Sequence, residues 1–326
     1  MNTFGRIYRI SIFGESHGKY IGITIDGCPA GIKLQESDFQ HDILRRKSGS
    51  KGTTTRIEID FPEIISGVFE GKTSGSPITI LFKNENEISK DYSKIKDLAR
   101  PGHADFTSYK KFKNFNDYRG GGHFSGRLTL AVVAAGVIAK KIIDPVKITA
   151  KIIEAGGNKN IEQAIDNAIK NKESIGGIIQ CSATNIPIGL GEPFFDSIES
   201  VISHVVFSIP AIKGIEFGSG FKAAQMFGSQ HNDEFIDNSG KTKTNYSGGI
   251  NGGITNGNNL IFNVAVKPTS SISKTQKTIN LQTKKIESIN ILGRHDTCIA
   301  LRVPVVIEAV TAIALADFYL INKEIN

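Results

Sequence analysis

The chain has 326 residues and a mass of 35.3 kDa, enough for two average domains or one large one at roughly 150 residues per domain. Its 39% hydrophobic and 22% charged content, with 34 glycines and a mean hydropathy of -0.12, excludes disordered, collagenous and membrane-embedded classes. A net charge of +7 suits nucleic acid, a membrane surface or a small polyanion. Arginines placed beside glycine in Arg100-Pro101-Gly102, Arg119-Gly120 and Gly293-Arg294 favour a compact anion pocket, so neither a nucleic-acid nor a membrane partner is expected.

Arg6 to Phe13 and Tyr20 to Asp26 alternate as strands, and Glu36 to Arg46 has helical spacing behind a capping-type Ser37. Arg56 to Asp60 and Ile78 to Phe82 resume the period of two. Gly126 to Lys141 predicts a helix buried on several sides, Glu162 to Lys172 an amphipathic surface helix, and Gly176 to Ala183 a strand. Phe195 to Phe207 reads as a second core helix, Asp233 to Gly253 as a loop, Leu260 to Lys267 as a strand, and Pro304 to Ile321 as a third core helix. The apolar stretches Leu128 to Ala139 and Val303 to Leu315 fall short of the roughly 20 residues a bilayer span needs. Without repeats or a hinge-like linker, residues 1–326 are expected to form a single α+β domain with helices packed between antiparallel sheets. The start lacks an apolar signal core and Cys28, Cys181 and Cys298 lack disulfide or zinc spacing, so a cytoplasmic protein without a bound metal is expected.

Histidines recur in glycine turns. Gly14-Glu15-Ser16-His17-Gly18 follows a strand, and Arg100-Pro101-Gly102-His103-Ala104-Asp105 adds a guanidinium and a carboxylate that could orient the imidazole. The most specific local signal is Tyr118-Arg119-Gly120-Gly121-Gly122-His123-Phe124-Ser125-Gly126-Arg127. Its glycine run implies close approach of the backbone to something, ahead of a helix N-terminus that favours anions. Lys267-Pro268-Thr269-Ser270-Ser271 sets an ammonium and three hydroxyls at a strand end, and Gly293-Arg294-His295-Asp296 clusters a cation, an imidazole and a carboxylate. Gly67 to Thr73 misses the Walker spacing by one residue and reads as a hairpin turn. The glycine run lacks the third glycine of a dinucleotide fingerprint, and no alternating βαβ pattern surrounds it.

Together these stretches resemble chorismate synthase, in the family's order; Ser66 to Gly71, Ser174 to Gly177 and Gly189 to Pro193 extend the likeness over nearly the whole chain. A shorter segment around Ala155 to Lys172 is the main departure. The resemblance implies conversion of 5-enolpyruvylshikimate 3-phosphate to chorismate by a 1,4-anti elimination of phosphate. This is a carbon–oxygen lyase reaction, the seventh step of the shikimate pathway to aromatic amino acids. It needs reduced FMN although nothing is oxidised overall. It further implies that His17 serves the departing phosphate and His103 the flavin, that Asp296 acts near flavin N5, and that Ser16 and Ser125 complete the relay. For FMN it points to His123, Phe124, Ser125, Pro210, Ala211, Gly252, Lys267, Pro268, Thr269, Ser270, Ser271 and Arg294. His123, Phe124 and Pro210 depart there from the commonest residues.

On the substrate side the resemblance implies Arg46, Lys51, Arg119, Arg127 and Arg302. Gly52 stands where many relatives have an arginine, a charge Lys51 could replace. A homotetramer follows by family analogy. The source of the reductant, an NADPH-dependent activity of the chain or a separate flavin reductase, stays open. The competing readings are a flavoprotein oxidoreductase using the same phosphate grips, and a basic nucleic-acid-binding protein lacking the usual RNA-module signatures.

Overall fold

A computed structural model describes residues 2–54, 58–85, 95–291 and 295–325. Two antiparallel sheets face a filling of helices. The first has the order β1 (Thr3–Phe4), β2 (Arg9–Gly14), β3 (Tyr20–Asp26), β7 (Ile78–Lys83), β4 (Glu63–Ser66). The second has the order β10 (Ile212–Phe217), β13 (Leu260–Val266), β9 (Gly177–Thr184), β8 (Lys147–Ala155). Strict alternation of burial along β13 puts Leu260, Phe262, Val264 and Val266 on the inner face, as a sheet covered on one side requires.

Between the sheets the Thr129–Ile142 helix packs on the first sheet and the Pro304–Ile325 helix on the second, with each other lengthwise. Their approach is set by Gly136, where a Cβ would lie 2.4 Å from the Ala309 Cβ. One hydrophobic cluster runs from Tyr8 to Leu320. Pro304–Lys323 proves long and apolar enough to cross a membrane by length and composition, contrary to the sequence expectation, and 83% of that window is buried inside the fold.

The expected strand Arg6 to Phe13 is broken, because the buried Asp317 carboxylate accepts the N–H groups of Arg6, Ile7 and Tyr8 and holds them out of the ladder. The first helix opens as a 3-10 turn, Glu36–Phe39, before Gln40–Arg46. Its cap is Gln35, whose N–H meets the Asp38 carboxylate at 2.9 Å, and Ser37 lies inside the turn. Of the expected strand Arg56 to Asp60, Arg56 and Ile57 lie outside the described residues and Glu58 to Asp60 is irregular. The Glu58 and Asp60 side chains are drawn instead to Arg127.

The Gly67 to Thr73 stretch is a hairpin, with β5 (Val68–Phe69) paired to β6 (Lys72–Thr73). The shortened segment between β8 and β9 holds the compact helix Ile161–Lys170. The Ile198–Phe207 helix starts behind Ser197, whose Oγ accepts from the Ser200 N–H, so Phe195 falls before it. The expected loop ends in a small hairpin, β11 (Ile250–Asn251) with β12 (Ile254–Thr255), and β14 (Gln276–Ile279) pairs with β15 (Ile286–Ile289).

Candidate active site

The hairpin between β2 and β3 carries Ser16 and His17, which are only 4% and 3% exposed. A solvated turn histidine is therefore ruled out. Two neighbours bury the turn. Gly122 carbonyl accepts from the Ser16 N–H at 3.1 Å, and Gly120 closes on the imidazole so tightly that a Cβ there would sit 2.3 Å from ring atoms Cε1 and Nδ1. Gly120 has φ +58° and Gly122 has φ +54° with ψ -126°, a combination suited to glycine. The glycine run therefore approaches His17.

The helix starts where expected but with a 3-10 turn, Gly126–Leu128, capped by Ser125, whose Oγ accepts from the Arg127 N–H at 3.3 Å. His123 faces the hairpin, with Nδ1 2.8 Å from the Gly14 carbonyl and Nε2 3.1 Å from Asn2 Oδ1. Phe124 packs against Phe112 with ring centroids 6.1 Å apart, and Arg119 forks onto Asp117 at 2.8 and 2.9 Å.

The second histidine turn docks on the end of β13. Lys267 Nζ donates to the Gly102 carbonyl at 2.6 Å and to Ser270 Oγ at 2.9 Å, and His103 Nε2 meets Ser271 Oγ at 2.8 Å. The Asp105 carboxylate does not orient His103, as the sequence suggested. It forms a bidentate pair with Arg100 at 2.7 and 2.8 Å, because the planar guanidinium fork matches both oxygens. Burial, aided by Arg100, lowers the His103 pKa to about 4, so its imidazole is neutral near pH 7. Burial lowers His295 as well.

Beside this turn a cleft of about 530 Å³ is lined by Thr54, Ser174, Ser271, His295, Asp296 and Thr297, among others. Asp296 is fixed from two sides, by the Thr54 N–H at 2.8 Å and by Arg302 at 3.3 Å.

A line of guanidinium groups runs from Asp296 in this cleft to the His17 hairpin. Arg302 Nε donates to the Arg46 carbonyl at 3.1 Å; Arg46 donates to Thr129 Oγ1 and to the Gly126 and Arg127 carbonyls; Arg127 pairs with Asp60 at 2.6 Å and reaches Asn84 Oδ1 at 2.9 Å. Asn84 in turn holds the His17 hairpin. Burial, with Arg302 and Arg127 nearby, pushes Arg46 down to about 9. Its donors hold the backbone at the head of the Thr129–Ile142 helix.

Lys51 turns away to Asp166 at 2.6 Å and Glu162 at 3.6 Å, so it does not supply the charge missing at Gly52. That glycine sits at φ +86°, which favours glycine, with Ile165 and Leu301 within 3.1 Å of a would-be Cβ, so a side chain there would be strained and tightly packed. Pro210 and Ala211 lie beside the Lys267 turn, the Ala211 carbonyl accepting from the Lys267 N–H at 2.9 Å. Gly252 tips the β11–β12 hairpin, whose base at Gly248 and Gly249 lies beside Ile261 and Asn259, at the opposite end of β13 from Lys267. Arg294 lies outside the described residues.

Asn84, Asp60 and Thr54 were not foreseen as site residues. Each acts through partners distant in sequence, and no local pattern marks it.

The family model for chorismate synthase matches residues 8–320. The chain belongs to the chorismate synthase family. It is 59% identical to the chorismate synthase of Chitinophaga pinensis, covering 100% of this chain and 98% of that one. It is 43% identical to the chorismate synthase of Methanocaldococcus jannaschii, with 97% and 96% covered. A crystal structure of chorismate synthase superposes with a TM-score of 0.76 at 29% identity, covering 98% of this chain and 93% of that one. The chain is thus an enzyme of the chorismate synthase type, and its antiparallel sheets and helices form that α+β fold.

Proposed function

We propose that the chain, acting as one catalytic domain, converts 5-enolpyruvylshikimate 3-phosphate to chorismate by 1,4-anti elimination with reduced FMN. The observation that carries this reading is a buried His17 at one end of a line of arginines, with the half-buried His103 held by Ser271 beside the cleft at the other, in a chain that matches the family from residue 8 to 320. In the reaction the ring C–O bond to phosphate breaks, the hydrogen at C6 leaves, and a second ring double bond forms. Atoms and electrons balance without an oxidant.

The residues near Lys267 fit a phosphate-bearing flavin. Thr269 Oγ1 and His295 Nε2 are buried without a hydrogen-bond partner among the described residues, and His295 lines the cleft. Lys267, Ser270 and Ser271 would hold the cofactor, with Arg294 assigned there by resemblance. When bound, reduced FMN supplies transient electron density to the allylic system and takes it back.

His17, fixed under Gly120, holds a proton for the departing phosphate, with Ser16 beside it. Neutral His103 can donate one N–H and accept at the other nitrogen, and an anion arriving nearby raises its proton affinity. Asp296, anchored by Thr54 and Arg302, accepts a proton on the flavin side. Arg119, Arg127 and Arg302 offset the charge of the dianionic leaving group and the substrate carboxylates.

We place the enzyme in the cytoplasm as a homotetramer fed by NADPH-linked or separate flavin reduction. Phe194, Phe195, Phe221, Phe227 and Phe235, each more than 70% exposed, support a subunit interface. An anaerobic assay with photoreduced FMN and the enolpyruvyl substrate tests the reaction: equimolar phosphate and chorismate without flavin oxidation are expected. Net consumption of reduced flavin per turnover would refute it.

A further inference from the structure

We infer that Asn84 is a positioning residue for His17, an inference that rests on reading His17 as the proton donor. Asn84 directly follows β7, is 7% exposed, and uses both ends of its amide. Nδ2 donates to the Glu15 carbonyl at 3.1 Å and the Gly18 carbonyl at 2.8 Å, the two groups that bracket Ser16 and His17. Oδ1 accepts from Arg127 Nε at 2.9 Å, and the Asn84 N–H donates to the Lys19 carbonyl at 3.1 Å. The amide orientation is dictated by these neighbours: two carbonyls demand a donor and a guanidinium demands an acceptor. One side chain therefore spans the mouth of the hairpin and ties it to the Arg127–Asp60 pair. Gly120 packs directly against the ring, so a turn released by Asn84 shifts the imidazole relative to that backbone.

Asn84→Asp separates the two functions of this amide. It keeps the shape and the acceptor for Arg127, but turns the donor into an anion facing two carbonyl oxygens. With the full chain, photoreduced FMN and the enolpyruvyl substrate, kcat should fall about 100-fold, the scale of an ångström-sized misplacement, with KM within about threefold of the parent. The alkaline limb of the kcat–pH profile, where a proton donor loses its proton, should move, and the double variant with His17→Ala should be no slower than His17→Ala alone. If Asn84→Asp does not fold, Asn84→Ala, which removes the donors without adding charge, is read by the same criteria. In either variant the His17 imidazole 1H–15N cross-peaks of the substrate-free protein should shift.

Parental kcat in Asn84→Asp beside a slow His17→Ala overturns the inference and leaves the reading of His17 intact. Losses that multiply in the double variant, or unmoved imidazole resonances, overturn it as well. His17→Ala within about twofold of the parent overturns the underlying reading, and the inference with it.

Discussion

Gly120→Ala tests whether the glycine run exists to let the backbone reach the His17 ring. Two costs are separable. At φ +58° an alanine enters the left-handed region, for roughly 1–2 kcal/mol. Its Cβ would also lie 2.3 Å from His17 Cε1 and Nδ1 and 2.8 Å from Ser16 Oγ, against a normal separation of about 3.5–4.0 Å. Something must move by more than about 1 Å. The hairpin is held by the Ser16–Gly122 and Asn84 hydrogen bonds, so the imidazole yields first. A total stability loss of about 2–3 kcal/mol leaves a protein of ordinary stability folded. Turnover should nevertheless fall by about 100-fold, because the donor leaves its alignment.

Gly121→Ala is the control: at φ +83° it carries the strain, but its Cβ meets only Ser125 Cβ at 4.0 Å. It should lower the melting temperature without a comparable loss of rate. Thermal melts with single-turnover kinetics under anaerobic, saturating conditions read both quantities. A Gly120→Ala enzyme within about threefold of the parent would refute the argument, whatever its melting temperature.

Other outcomes follow from the same geometry. Lys267→Ala removes the ammonium that holds Gly102 and Ser270, and should weaken reduced-FMN binding by about 10-fold or more in anaerobic titrations, as for loss of a charge-assisted contact of about 1.5–3 kcal/mol; unchanged affinity would exclude a cofactor role. His17→Ala should slow turnover with the bound-flavin spectrum unchanged, whereas His103→Ala should change that spectrum as well; identical spectra would sink the division of labour. The folded pKa of His103, lowered to about 4, means the unfolded chain binds its proton first. Stability from this group is therefore present above about pH 6.5 and lost as pH falls toward 4, by at most about 3 kcal/mol, so His103→Gln should flatten urea-derived stability over that window. An unchanged slope would place the ring in a solvated setting. Gly136→Ala should destabilise by about 1–3 kcal/mol despite its better helix propensity, because the new Cβ meets Ala309 at 2.4 Å; Ala309→Gly should recover part of the loss, and a stabilised single variant would contradict the packing.

What was legible in the sequence is what is local. Tyr20 to Asp26 alternates because one face of β3 is buried, and the Thr129–Ile142 helix reads as buried on most sides because it is packed on most sides. The glycine run, both histidine turns and the Lys267 turn are contiguous, so their chemistry was visible before their neighbours were. Their pairings were not visible. Asp105 stands two residues from His103 yet binds Arg100, since a bidentate fork outcompetes a single imidazole contact. Asp60 sat inside an apparent alternating strand, and its burial against Arg127 required a segment more than 60 residues away. Lys51 followed the charge pattern of a substrate site, while the helix Ile161–Lys170 offered it two carboxylates on the surface.

The division of the site between two sheets gives these pairings a common purpose. The His17 turn ends β2 on the first sheet, and the Lys267 turn ends β13 on the second, with helices between them. Turns on separate sheets keep a fixed relation only if something rigid crosses the intervening layer. Arg46 does so by donating to Thr129 Oγ1 and to the Gly126 and Arg127 carbonyls at the head of one core helix, while Arg302, just ahead of the other, donates to the Arg46 carbonyl. A buried guanidinium costs desolvation, and several partners are needed to offset it, so each arginine in the line fixes more than one segment at once. Lysine at position 46 would keep the charge but not the planar fork that reaches a hydroxyl and two carbonyls together. Replacing Arg46 should therefore disturb the His17 and His103 sides jointly, a correlation that a residue touching substrate on one side alone would not produce.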